Sequence, residues 1–286
     1  MSGDKLLWSN AVIACGAAAC VVRTWKLAMP DAPTDAETWA FALGIGAATW
    51  WAYGWQRYVK GTRPDGLREH HQAWLLRRGR PLIITALLLA PLAAWPVLST
   101  TRLLTEQPAV NLWLPAILLL AGMLTALYAG VPGTAGMRFA LRRLPRMKLL
   151  WIGFAWAGIT AGWPVWWACS GHPDLHTTGW LVLERGCIIM ALTLPFDLRD
   201  VHWDPPALRT IPQRWGATAT RLSAVVLLAV AAWATLHLQG VNTAALLGPT
   251  LMVPAVLLAD ERRSSWYYLA LDGLLLVDGL CLVLLL

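Results

Sequence analysis

The chain has 286 residues, of which 57% are hydrophobic and only 14% are charged. This balance excludes an ordinary water-soluble domain and indicates a protein of the lipid bilayer. The formal net charge is +7, but the basic residues cluster in particular loops, so we expect no nucleic acid partner. The five cysteines show no paired spacing of the metal-binding type, so they predict neither a zinc site nor a disulfide framework.

Apolar stretches long enough to cross about 30 Å of hydrocarbon recur along the whole chain. They predict an all-α fold, a polytopic membrane bundle of nine transmembrane helices that forms a single transmembrane domain over residues 1–286. The second and sixth stretches end in similar polar segments, which suggests two pseudo-repeated halves, about 1–130 and 131–286. In chain order the predicted spans are Leu6–Val22, Thr38–Trp55, Leu82–Leu98, Leu112–Tyr128, Leu149–Trp167, Thr178–Phe196, Ala217–Leu236, Val241–Leu258 and Trp266–Leu286.

The distribution of basic residues predicts the orientation of these spans. With a cytoplasmic N-terminus, nineteen of the 23 Lys and Arg residues fall on the cytoplasmic side, as the positive-inside rule requires. Only Arg23, Lys26 and Arg102 then lie on the opposite side, and Arg185 lies inside the sixth span. We therefore expect an integral membrane protein, most simply of a bacterial inner (cytoplasmic) membrane, with the C-terminus outside.

Three aspartates follow the sixth span at positions i, i+3 and i+7, namely Asp197, Asp200 and Asp204. On a helix this spacing places them on one face. Carboxylates so close together repel one another, and hard oxygen ligands suit Mg²⁺ together with phosphate oxygens. The pattern predicts a Mg²⁺ site, and the alternative is a solvated helix end whose acids pair with nearby arginines such as Arg199.

The run from Asp197 to Gly216 resembles the second aspartate-rich motif of the UbiA superfamily of intramembrane prenyltransferases. In that motif an Asp-x-x-Asp-x-x-x-Asp stretch precedes an Arg-Thr-Ile/Leu-Pro turn, and here Arg209 begins the turn. The resemblance implies a UbiA-like helical fold that binds an isoprenoid diphosphate through Mg²⁺ and transfers or cyclises the prenyl group.

A second stretch resembles the same family and contains Tyr128, Arg138 and Lys148. The resemblance implies that Lys148 and Arg209 hold the diphosphate and that Tyr128 orients it, and we take these three as candidate catalytic residues. Arg138 is a candidate substrate-binding residue, although positive-inside anchoring explains a basic loop residue equally well.

The end of the second span departs from the family pattern. Catalytic members carry a first aspartate-rich motif there, whereas this chain has Trp55, Gln56 and Arg57 and no carboxylate. We interpret these three as substrate-binding residues: Gln56 offers a neutral oxygen, Arg57 a positive charge in place of a metal, and Trp55 an aromatic wall for an isoprenoid chain.

The missing first motif leaves two functions open. One is an enzyme, a divergent prenyltransferase-like transferase. The other is a non-catalytic membrane subunit of the same fold that binds a quinone, a carotenoid or another hydrophobic lipid, with protein partners in a larger complex. Asp272 lies inside the last span, where an acid needs a partner, and Arg185 or a backbone group are the candidates.

Overall fold

The computed structural model describes residues 9–30, 35–61, 69–106, 144, 146–204, 206–240, 242–263 and 265–285, together with seven separate positions between 116 and 128. For 58–61, 69–83 and 283–285 it describes the backbone alone. Throughout this part of the chain the regular structure is helical and contains no strand. The eight helices are α1 Ala11–Ala28, α2 Ala36–Gly61, α3 Glu69–Glu106, α4 Lys148–Ala168, α5 Leu175–Arg199, α6 Ile211–Gln239, α7 Thr243–Leu257 and α8 Ser265–Leu285.

Eight of the nine predicted spans overlap these helices, and ten of the 17 residues of the fourth, Leu112–Tyr128, lie outside the described residues. Five helices are long and apolar enough to cross a membrane, and α7 is a shorter apolar helix. Helices α2 and α3 extend well into the polar stretch between the second and third spans, because charged residues do not prevent a helix from continuing beyond the hydrocarbon.

Each helix packs against its neighbours in the chain wherever both are described, and α8 returns to pack along α1. Small residues permit this close approach. The backbone of Gly279 in α8 lies directly against Ala19 of α1, and Gly46 of α2 lies directly against Ala14, so that a side chain at either glycine would clash. Helices α1 and α8 therefore pack closely along each other.

Helix α4 changes its pitch halfway along its length. It is α-helical over Lys148–Ala157, π-helical over Gly158–Gly162 and α-helical again over Trp163–Ala168. A π-turn leaves backbone carbonyls without their usual partners, and the hydroxyl of Thr24 in α1 donates to the carbonyl oxygen of Thr160 at 2.9 Å. This bond joins α4 to α1 beside the cavity described below.

A cluster of four charged side chains lies inside the bundle. Arg23 of α1 donates to Glu184 of α5 from Nε at 3.0 Å and from a terminal nitrogen at 2.9 Å, and its other terminal nitrogen lies 3.0 Å from Asp278 of α8. Arg185 lies 3.8 Å from both acids and also contacts Cys20. The side chains of the four charged residues are at most 1% exposed.

This cluster corrects the predicted position of Arg23. We expected Arg23 just beyond the first span, on the side opposite the cytoplasm, but α1 continues to Ala28 and Arg23 is fully buried within it. Two arginines and two carboxylates balance in charge, and such pairing is what makes ionised groups tolerable away from water.

Candidate functional site

The site is built around the C-terminal end of α5. The helix begins after Asp174, whose carboxylate accepts hydrogen bonds from the backbone N–H groups of His176 and Thr177, and it ends at Arg199. The three motif aspartates therefore do not share one helical face as the spacing predicts. Asp197 lies in the last turn, Asp200 follows the last helical residue, and Asp204 lies in the irregular segment beyond it.

Lys148, the first residue of α4, joins two of these aspartates. Its ammonium nitrogen lies 2.7 Å from Oδ1 of Asp197 and 2.8 Å from Oδ2 of Asp204. The side chains of both aspartates are at least nine-tenths buried, so the shared cation offsets a repulsion that burial would otherwise make severe. One positive charge thus occupies the point between two carboxylates.

Backbone contacts hold the segment that carries Asp204. The side chain of Gln213, at the start of α6, accepts from the N–H of Thr210 at 3.0 Å and donates to the carbonyl of Asp204 at 2.9 Å. The N–H of Arg146 donates to the carbonyl of Leu208 at 3.0 Å. The bond from Gln213 fixes the position of Asp204. The bond from Arg146 holds the residues just before α4 against the same segment.

The third aspartate has a different partner. Asp200 accepts two hydrogen bonds from Arg199, one from Nε at 2.8 Å and one from a terminal nitrogen at 3.0 Å. The guanidinium also stacks on Tyr268 of α8, 4.6 Å from the ring centre, and lies 5.2 Å from the ring centre of Phe196. The described residues hold no group of three or more acids, histidines or cysteines placed to bind one metal ion.

A cavity of about 710 Å³ opens beside these residues, with a size typical of small-molecule sites. One end is polar and the rest is lined by apolar and aromatic side chains, which suits a ligand with a charged head and a long apolar tail. The polar end contains Lys148, Asp197, Arg199, Asp200, Arg57 and Asp272, and the apolar walls include Trp151, Ile152, Trp156, Ile189, Leu192 and Leu275.

Three further predicted site residues also line this cavity: Trp55 and Gln56, which precede Arg57 in the last two turns of α2, and Tyr128. Arg209 does not line it. Its side chain is exposed and its backbone takes a left-handed conformation, with φ of 50°, because the chain turns sharply there before α6. Arg138 lies outside the described residues.

Asp272 belongs to the same cavity and not to the buried cluster. It interacts electrostatically with Arg57 and Arg199, whereas Arg185 contacts Cys20 and faces Asp278. Of the two candidate partners for Asp272, Arg185 pairs instead with the buried cluster, and the described partners of Asp272 are Arg57 and Arg199. Asp272 and Asp278 are six residues apart on α8, which separates them by about 9 Å along the helix axis.

Sequence reasoning missed two residues that organise the site. Gln213 stands in the motif but carries no charge, so its bonds to Thr210 and Asp204 were not foreseen, although a glutamine three residues after a threonine is a known signal of a helix start. Arg199 was noted only as a neighbour of the acids, and its stacking on Tyr268 depends on α8.

The donor set fits one small divalent cation. Mg²⁺ is commonly bound by one or two carboxylates, substrate phosphates and water, and Asp197 and Asp204 already share one cationic group between them. Within the described residues, Oδ1 of Asp197 is buried and has no conventional hydrogen bond beside this ion pair. These two aspartates would hold the ion, and Lys148 would then be released toward a phosphate.

Comparisons with known proteins give one informative result. No family model matches the chain, and no curated protein sequence matches it. A solved structure of a UbiA homolog from Archaeoglobus fulgidus bound to DMAPP and Mg²⁺ superposes with a TM-score of 0.52 and 14% sequence identity, over 100% of both chains. Together with the long apolar helices, this likeness identifies the chain as an integral membrane protein with the fold of the UbiA superfamily.

Proposed function

We propose that this protein is a prenyltransferase-type membrane protein that binds an isoprenoid diphosphate and transfers or cyclises its prenyl group. The observation that carries the proposal is the cavity, which joins a cluster of acids and basic groups to a wall of apolar and aromatic side chains. An isoprenoid diphosphate has this division of polarity. The A. fulgidus homolog bound to DMAPP and Mg²⁺ supports the proposal, since DMAPP is an isoprenoid diphosphate.

The proposed reaction begins with cleavage of the bond between the allylic carbon and the diphosphate oxygen, which keeps the electron pair. Mg²⁺ bound at Asp197 and Asp204 would neutralise charge that develops on the leaving group. Lys148 donates to a phosphate oxygen, and Arg57 adds a second positive charge from α2. The allylic cation then bonds to a nucleophilic acceptor or to a double bond of its own chain, and the resulting cation loses a proton to the released diphosphate.

Aromatic side chains along the cavity contribute to the same step. Trp151 and Trp156 of α4 line the apolar part, and Trp55 of α2 lines it beside Arg57. Indole faces attract positive charge and exclude water, which would otherwise capture the allylic cation. We assign these tryptophans to shielding the cation and Tyr128 to orienting the diphosphate.

The proposal includes the orientation and organisation expected from the sequence. The polar end of the cavity would face the cytoplasm, with the N-terminus on the same side and the C-terminus outside, in a bacterial inner membrane. Residues 1–286 would form one domain of two related halves, about 1–130 and 131–286.

A second candidate is a non-catalytic subunit that binds a quinone, a carotenoid or another lipid within a membrane complex. The favouring observation is that α2 contributes no carboxylate among the residues that line the cavity, while every motif aspartate is already ion-paired. Such a subunit would copurify with protein partners and would bind its lipid without a divalent cation.

Calorimetric titration of geranylgeranyl diphosphate into the detergent-purified full chain, with and without Mg²⁺, tests the enzyme proposal. We expect Mg²⁺-dependent binding that falls about tenfold or more in Asp197→Asn and Asp204→Asn, because each variant removes a charged ligand. Glu261→Gln is the matched control, since Glu261 pairs with His202 on the same side of the bundle and does not line the cavity.

The two candidates predict different results. Binding that needs Mg²⁺ and is lost in both aspartate variants, but not in the control, supports the diphosphate site. Absence of binding in every condition would reject it and leave the subunit proposal, for which stoichiometric copurification is the direct test.

A further inference from the structure

Two basic side chains pair with carboxylates at the polar end of the cavity. Lys148 lies between Asp197 and Asp204, at 2.7 and 2.8 Å. Arg199 is bonded to Asp200 at 2.8 and 3.0 Å and interacts electrostatically with Asp272. The site therefore has two positions for positive charge, and both are filled by the chain itself.

The two positions differ in how easily the protein cation can leave. Lys148 is a point charge on a flexible stem, and its ammonium group is held by the two carboxylates together with an electrostatic interaction with Tyr128. Arg199 is held by a two-pronged bond to Asp200 and by the ring of Tyr268 at 4.6 Å. Removing Arg199 would break both contacts together, whereas Lys148 can move to a phosphate.

The positions of the carboxylates around the cavity also indicate that Lys148, and not Arg199, gives way to a metal ion. Among the described lining residues the carboxylates are Asp197, Asp200 and Asp272, and α2 supplies Arg57 on its side of the cavity. Because Arg199 is fixed on Asp200, the pair that can exchange its cation is Asp197, which lines the cavity, with Asp204, which does not line it but shares Lys148 with Asp197.

We propose that the site binds a single exchangeable divalent cation, at Asp197 and Asp204, and that Arg199 acts as a permanent second cation toward the phosphates. This inference rests on the proposed function and specifies its metal stoichiometry. A guanidinium has five N–H donors, so Arg199 can keep its two bonds to Asp200 and still donate to phosphate oxygens, which lets a fixed arginine replace part of the charge that a second metal would supply. Arg57 reinforces it from α2.

The test counts bound Mn²⁺, a paramagnetic substitute for Mg²⁺, by electron paramagnetic resonance on the purified full chain saturated with geranylgeranyl diphosphate. We expect one Mn²⁺ per chain and no spin coupling between metal ions. Two Mn²⁺ per chain with the coupling of a metal pair about 4 Å apart would overturn the inference, and so would diphosphate binding that is unchanged in EDTA.

Arg199 variants test the second half of the proposal in the same assay. Arg199→Gln should keep the Mn²⁺ site at Asp197 and Asp204, seen as one tightly bound Mn²⁺, while diphosphate affinity falls about tenfold or more. Arg199→Lys should lie in between, since it keeps the charge but not the two-pronged geometry. Unchanged diphosphate affinity in Arg199→Gln would overturn the role of Arg199.

Failure of the inference and failure of the proposed function give different results. Tight diphosphate binding with two Mn²⁺ per chain would overturn the inference alone. Absence of diphosphate binding at every Mn²⁺ concentration, in a protein that still unfolds cooperatively, would overturn both.

Discussion

Arg23 illustrates what a buried charge requires of its neighbours. Its guanidinium bonds to Glu184, lies 3.0 Å from Asp278 and donates to the carbonyl of Ala245 at 3.0 Å, so α1 is joined to three other helices. Replacing a whole buried ion pair with apolar groups is often tolerated, whereas removing one partner leaves an uncompensated charge. Removing one charge from the cluster should therefore cost more stability than removing a whole ion pair.

Arg23→Met should destabilise the protein by about 3–5 kcal/mol, because Glu184 and Asp278 would then share Arg185 alone. The double variant Arg23→Met with Glu184→Met should be more stable than Arg23→Met, since Arg185 and Asp278 remain as a neutral pair. Denaturant unfolding in detergent measures both. A double variant as unstable as the sum of its two single variants would contradict this account.

The helices on either side of the aspartate motif begin and end where the local backbone conformation requires it. Helix α6 has its first turn over residues 211–215 and then breaks at Gly216, where φ is 75° and ψ is −178°. This conformation is accessible essentially to glycine alone. The predicted seventh span begins at Ala217, so the sequence placed the membrane helix directly after this break.

Gly216→Ala should lower stability by about 1–3 kcal/mol through backbone strain, because a Cβ there meets no neighbouring atom that would add a clash. Gly179→Ala is the matched control: it also points into open space but lies within α5 with helical geometry, so alanine should stabilise by up to about 1 kcal/mol. Thermal unfolding of the two variants should shift in opposite directions. Equal shifts would show that the break at Gly216 is not strained.

The start of α5 gives a prediction on pH. Hydrogen bonds from Thr177 lower the pKa of Asp174 below its usual range, so the cap contributes stability above the unfolded pKa and loses it as the pH falls through the lower, folded pKa. Asp174→Ala should therefore lower the unfolding temperature at neutral pH and have a smaller effect in acid. Asp174→Asn, which keeps an oxygen acceptor without a titrating charge, should remove this pH dependence. A constant difference between wild type and Asp174→Ala at all pH values would contradict it.

At the scale of the whole molecule, the two ends of α5 lie at opposite ends of the bundle. It has 25 residues, a length of about 37 Å, with His172 before its start and the motif at its end. Glu261 bonds to His202 at 2.9 Å and so lies at the motif end. The proposed orientation places this end in the cytoplasm.

Single cysteines in an otherwise cysteine-free chain test that orientation. In intact cells a membrane-impermeant maleimide should label His172→Cys and should label Glu261→Cys only after the membrane is opened, because the positive-inside rule places the basic loops inside. The reverse pattern would show that the molecule is inverted.

The sequence alone determined the helical class, most span positions and the residues that carry charge. Apolar runs long enough for the bilayer must form helices, since lipid leaves backbone groups no other partner, and the spacing of positions 197, 200 and 204 predicts a metal site that stays a proposal. Local pattern could not assign partners. Pairing of Lys148 with two aspartates joins α4 to the segment after α5, and nothing in either stretch specifies that contact.

Only the tertiary structure decided which charges face the cavity and which are buried together. Asp272 and Asp278 look alike in sequence, since each is a lone acid in an apolar helix. Asp272 lines the cavity with Arg57 and Arg199, while Asp278 joins Arg23 and Arg185 inside the bundle. The physical reason is that a buried charge takes its environment from helices distant in sequence, and their approach depends on packing over the whole bundle.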